Sequence, residues 1–183
     1  SAPGLAPYYY DWIKHPENDS YWRQWNIEDR HHTIQVPAYS MGGWYDIFLG
    51  GTIRNFVGMR KNGATEEARR GQKLMIGPWF HDSDPGNKTG EVDFGLASDT
   101  ASFDFHGIKL RWFDHWLKAE ENGIIDEAPV RIFVVGTNVW RDEGEWPLSR
   151  TSYVNYYLHS DGNANTLNGD GSLSPEAPGD ERW

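Results

Sequence analysis

The stretch Ala38-Tyr39-Ser40-Met41-Gly42 holds a serine with small residues two positions to either side, one substitution away from a G-x-S-x-G elbow. In that elbow the small residues let a serine occupy a strained strand-to-helix turn. Asp46 stands just beyond it, and His81 closes the run Gly77-Pro78-Trp79-Phe80-His81. Hydroxyl, imidazole and carboxylate are the groups of nucleophilic acyl transfer: the oxygen attacks, the ring takes its proton, and the carboxylate fixes the ring's tautomer and steadies its positive charge. Each group also has a plainer role. Asp46 can satisfy free N–H groups where a helix begins, His81 can be an ordinary loop histidine, and Ser40 a strand residue. Residue types alone leave both readings open.

The elements that must position these groups are legible around them. IQVPAYSM is a short β-type run in which Pro37 cannot donate a ladder hydrogen bond and so stands first, leaving Ala38 to Met41 as the strand. After Gly42 and Gly43 the period changes. Leu49, Ile53, Phe56 and Val57 share one helical face, although Gly50 and Gly51 each weaken that helix by roughly 1 kcal/mol. The polar segment KNGATEEARRGQ then leads to KLMIGPW, short and apolar enough for a buried strand. Strand, helix, strand reads as a βαβ unit of a parallel sheet. Reactive groups of open α/β sheets gather beyond the carboxyl ends of the strands, which is where Asp46 and His81 fall.

Residues 8 to 32 mix aromatics and charges without a steady period and suggest short helices and turns. From Thr100 to Ala119 the pattern is helical, with Phe105, Ile108, Trp112 and Trp116 in one apolar line, Lys109, Arg111 and Lys118 off it, and Gly123 as a stop. Alternation then takes over in PVRIFVVG and YVNYYLH, so a change to an all-β module is expected near Asp126. The final segment is rich in turn residues. Two or three strands do not make a stable sandwich, so the β module is expected to be incomplete within these residues.

Composition narrows the function. The 183 residues are 38% hydrophobic and 15% aromatic, with ten tryptophans, enough for a substantial core. A net charge of −10 argues against nucleic acid and anionic lipid as partners. The lack of cysteine excludes disulfides, thiol nucleophiles and thiolate metal sites in these residues. No apolar run is long enough to span a bilayer and SAPGLAPYYY has no signal-peptide pattern, so a soluble protein is expected, cytoplasmic or exported. Metal signals are weak. DGNANTLNGDGS puts Asp161, Asn163 and Asn165 at three positions of a calcium-loop template, but Thr166 replaces its glycine and Ser172 its glutamate, so a turn between strands is expected. The histidines His31, His32, His106 and His115 lack ligand spacing, and the acidic groups of His81-Asp82-Ser83-Asp84 read as solvated or capping.

GGWYDIF (42 to 48), GPWFH (77 to 81) and VRIFVVGTNVWRDEGEWP (130 to 147), in this order, resemble the serine hydrolases of the X-prolyl dipeptidyl-peptidase and cocaine-esterase type, a family that includes α-amino-acid ester hydrolases and cephalosporin acylases. The resemblance implies an α/β class: the C-terminal part of an α/β-hydrolase domain over residues 1–125, with a cap-like segment at 1–33, then the first strands of a jelly-roll over 126–183. It implies Asp46 as triad acid and His81 as triad base, with Phe48 walling the acyl pocket and Trp44 and Tyr45 on the substrate side. Glu17 and Asp19 could bind a substrate amine. The family's serine belongs to an earlier strand, so Ser40 becomes a filler, and this stretch alone, without nucleophile and oxyanion donors, is expected to be inactive. No metal or organic cofactor is implied. The expected partners are a small ester, amide or short peptide and the missing N-terminal part of the same protein, with self-association left open. A rival reading is a non-catalytic β module that holds carbohydrate or another subunit through its aromatics.

Overall fold

The structure is a computed structural model and describes residues 4–82 and 85–179. It divides into two compact units, Ser1–Trp146 and Pro147–Trp183.

The first unit opens with short helices, as the aperiodic sequence there suggests. Helix α1 (Pro7–Lys14) starts on a proline, whose missing N–H costs nothing in a first turn. Helix α2 (Ser20–Arg23) is capped by the Asp19 carboxylate, which accepts from the Tyr21 amide at 2.9 Å. A 3-10 helix follows over Glu28–Thr33. Strand β1 (Tyr39–Gly43) begins two residues after Pro37, helix α3 (Leu49–Asn62) crosses over, and β2 (Lys73–Gly77) returns parallel to β1, so the βαβ unit expected from the periodicity is present. Between them lies helix α4 (Glu66–Arg70), where the sequence suggested only a polar connection. Its signals are local: Thr65 accepts the Ala68 amide at 3.0 Å, acidic residues fill the first turn and arginines the last, matching the helix dipole.

Every residue of β2 is buried, and its alternating side chains build two cores. Leu74 and Ile76 join Phe56, Val130 and Ile132 on the α3 side, while Met75 joins Trp79, Phe105, Ile108, Trp112 and Ile124 on the other. A short hairpin of β3 (Lys88–Thr89) and β4 (Val92–Asp93) precedes α5 (Phe105–Lys118). This helix starts later than the Thr100 suggested by the pattern, because Asp104 adopts a left-handed conformation and accepts the Gly107 amide at 3.1 Å. It also ends before Gly123, on Ala119 at φ 58°.

Strands β5 (Val130–Val134) and β6 (Val139–Glu143) extend the same sheet in the order β1-β2-β5-β6, β5 parallel to β2 and β6 antiparallel to β5. The first compact unit therefore runs to Trp146 and takes in two strands beyond the change in pattern near Asp126. The reason is burial: β2 has no residue facing solvent, and β5 covers the side of it that β1 leaves open. Lys73, at the start of β2, ties the sheet to the approach to β5. Its buried ammonium donates to the carbonyls of Ile125 (3.4 Å), Glu127 and Ala128 (3.3 Å).

The second unit holds an antiparallel pair, β7 (Tyr157–His159) and β8 (Ser172–Ser174), joined by the calcium-like segment. Asp170 spends its carboxylate there on the Ser160 hydroxyl (2.6 Å) and the Asp161 amide (3.0 Å), which is turn chemistry. Among the described residues no group of three or more His, Cys, Asp or Glu could hold a metal ion, and no helix is long and apolar enough to cross a membrane.

Candidate active site

Parallel pairing sets Gly43 opposite Gly77, so the chain leaves β1 and β2 at the same end of the sheet. Backbone hydrogen bonds then lock the two exits together: Trp44 donates to the Gly77 carbonyl (2.9 Å) and Tyr45 to that of Trp79 (3.0 Å). Only a residue without a side chain permits this approach. A Cβ on Gly43 would overlap the Trp79 carbonyl, and one on Gly77 the Trp79 indole.

The locked exits bring Asp46 and His81, 35 residues apart in sequence, into contact, with His81 Nδ1 3.1 Å from Asp46 Oδ2. The second carboxylate oxygen, Oδ1, accepts the Phe48 amide at 2.8 Å. Asp46 thus serves its turn, the plainer role, and braces the imidazole as well. Burial pushes its carboxyl pKa up, but the Phe48 amide and the His81 ring outweigh that and hold it below the usual 3.8. An ionised carboxylate on Nδ1 favours the tautomer protonated there, leaving the lone pair on Nε2. The Asp46 side chain is 11% exposed and that of His81 65%, so the brace is covered and the ring accessible. Beside the pair lies a cavity of about 230 Å³, walled in part by Met41, Trp79, Pro85, Phe105 and Lys109.

Of the three aromatics expected on the substrate side, one meets the pair. The Phe48 ring stands edge-on to His81, centroids 4.9 Å apart at 78°. Trp44 turns the other way: its indole N–H donates to the Phe133 carbonyl at 2.7 Å and its ring packs with Trp146 against the α3-side core. Its indole donor and its ring contact with Trp146 are thus engaged in packing, and it does not line the cavity beside Asp46 and His81. Tyr45 rests its half-exposed ring on Phe94 (5.9 Å) and does not line the cavity beside Asp46 and His81. Ser40 lies in mid-strand opposite Leu74, and its φ is not among the positive ones that mark strained residues, so the geometry of an elbow is missing. It lines a separate depression with Thr52 and Asn55 on the α3 side.

Asp19 is committed to His15 Nδ1 (2.6 Å) and to the cap of α2, and its pKa is lowered, chiefly by the His15 hydrogen bond. His31 is buried against α3 and bonded to Asn55 (3.0 Å), a packing role. Ser83 and Asp84 lie outside the described residues. Sequence reasoning missed Lys109, which reaches the cavity although it lies off the apolar line. Its spacing of four from Phe105, one helical turn, was the available signal.

A parallel sheet with a crossover helix, and a carboxylate and an imidazole joined at its carboxyl end, define the class: an α/β-hydrolase-type fold carrying an acid–base pair. Residues 3–83 match the family model described as X-Pro dipeptidyl-peptidase (S15 family), and residues 122–182 that of the X-Pro dipeptidyl-peptidase C-terminal non-catalytic domain. The chain is 35% identical over 178 residues to cocaine esterase from Rhodococcus sp. (strain MB1 Bresler), covering 97% of this chain and 30% of that protein. Among solved structures it is similar to an aminopeptidase from a marine sediment Thaumarchaeota archaeon (TM-score 0.73, 21% identity) and to an α-amino acid ester hydrolase (TM-score 0.68, 23% identity). Each covers 97% of this chain, which in turn spans 27% and 28% of them. The chain belongs to the X-Pro dipeptidyl-peptidase and cocaine-esterase family of serine hydrolases. It spans less than a third of the length of these relatives.

Proposed function

We propose that these residues supply the acid and the base of a serine hydrolase that cleaves an ester or amide through an acyl-enzyme. The observation that carries this reading is the contact between Asp46 and His81 beyond the carboxyl ends of two neighbouring parallel strands. The nucleophile comes from a segment N-terminal to these residues: Ser40, the serine with an elbow-like sequence, lies in mid-strand and does not line the cavity beside Asp46 and His81. In the reaction, the serine oxygen attacks the carbonyl carbon as its proton passes to His81 Nε2. The tetrahedral oxyanion collapses, the leaving group departs with that proton, and water repeats the sequence to free the acid and restore the serine. Asp46 holds the ring and stabilises its transient positive charge. Phe48, edge-on to the ring, narrows the approach to acyl groups that tolerate an aromatic wall.

The 183 residues by themselves are then inactive, and gain activity only with the part that bears the serine and its oxyanion donors. In the polypeptide uniting both, a fluorophosphonate probe should label one serine. Asp46→Asn and His81→Ala should each lower kcat by about 10⁴-fold while circular dichroism stays unchanged. Full activity in either variant, or its loss in Ser40→Ala instead, would remove the assignment.

A further inference from the structure

Resting on the reading above, we propose that Lys109 makes the cavity beside Asp46 and His81 selective for esters or amides that carry a carboxylate remote from the scissile carbonyl. Lys109 lies one turn beyond Phe105 on α5, and its ammonium stands 3.8 Å from the centre of the Phe105 ring. A ring face attracts a cation but accepts no conventional hydrogen bond, so the three ammonium donors are not satisfied by it. Among the described residues Lys109 makes no ion pair, although the cavity wall also holds two carboxylates. Both are engaged: Asp46 with His81 and the Phe48 amide, Asp82 with a partner of its own.

The lysine is partly buried, and much of the surrounding wall is apolar, formed by Met41, Trp79, Pro85 and Phe105. An anionic oxygen brought there gains charge-assisted hydrogen bonds with little competition from water, whereas a neutral amide gains only ordinary ones. The net charge of −10 repels anions at long range, but at physiological salt that field is screened within roughly 8 Å and the local cation decides. The cavity, about 230 Å³, suits a small acid.

The test reads binding, not turnover, and uses the polypeptide that unites these residues with the part bearing the serine, with that serine replaced by alanine. NMR titration with monomethyl succinate should shift the Lys109 side-chain and His81 ring signals saturably, while the neutral isostere methyl succinamate binds at least about tenfold more weakly. Lys109→Met should abolish the difference and Lys109→Arg keep it, with Lys109→Gln standing in for the methionine variant if that fails to fold. Equal binding of both esters, no binding of either, or a preference that survives Lys109→Met or Lys109→Gln overturns the proposal. None of these outcomes touches the hydrolytic role of Asp46 and His81, which the serine labelling and kcat measurements test separately.

Discussion

At the scale of single residues, the Asp46 carboxylate carries two loads, a backbone turn and an imidazole, and its acidity records both. Its folded pKa lies below the ordinary value, so it contributes stability above about pH 4, and that contribution is lost as pH falls through the depressed folded value. Urea unfolding of the wild type followed downward from pH 6 should therefore show a decline that Asp46→Asn lacks; superimposable profiles would mean that the contact adds nothing to the fold. Residue types and spacing left the plainer roles of the pair open, and it was legible through the resemblance carried by GGWYDIF and GPWFH. The direction of the Trp44 side chain was not readable. One residue past the strand, the direction of a side chain depends on the turn, and here the turn aims the indole at the Phe133 carbonyl.

At the scale of elements, α3 shows why a helix that looks weak in sequence is sound in place. Two of its glycines sit in different surroundings. At Gly58 the helix lies directly on the buried His31 ring, and a Cβ would overlap that ring, whereas at Gly51 a Cβ meets nothing within 4 Å. The usual helical gain of about 1 kcal/mol from glycine to alanine should thus appear at one site and reverse at the other. Thermal unfolding should find Gly51→Ala more stable than wild type and Gly58→Ala less so, with the hydrogen bond from His31 to Asn55 lost; equal stabilisation of both would contradict the packing. Periodicity exposed α3 and β2 because burial imposes it. It could not expose α4, whose five residues are held by Thr65 and charge placement rather than by an apolar stripe.

At the scale of the molecule, the position where the first unit ends follows from what covers β2. Its side chains are buried on both faces and its backbone is paired on both edges, by β1 and by β5. Lys73 adds a polar constraint. Burial is the main influence on its ammonium and lowers its pKa, and the carbonyls of Ile125, Glu127 and Ala128 are what make that burial tolerable. A chain cut after residue 125 strips β5 and β6 from the sheet, removes Val130, Ile132 and Phe133 from the cores, and takes two of the three acceptors from the ammonium. A chain cut after residue 146 loses none of these, and none of the described residues beyond it is buried. The 1–146 chain should accordingly unfold cooperatively by urea, with an NMR spectrum that retains the signals of Asp46 and His81. The 1–125 chain should lack a cooperative transition and bind a hydrophobic dye. The change in sequence pattern near Asp126 marks the switch from helix to strand and lies close to residue 122, where the match to the C-terminal domain model begins; cooperative unfolding of the 1–125 chain would mean that the folded unit can end there without β5 and β6.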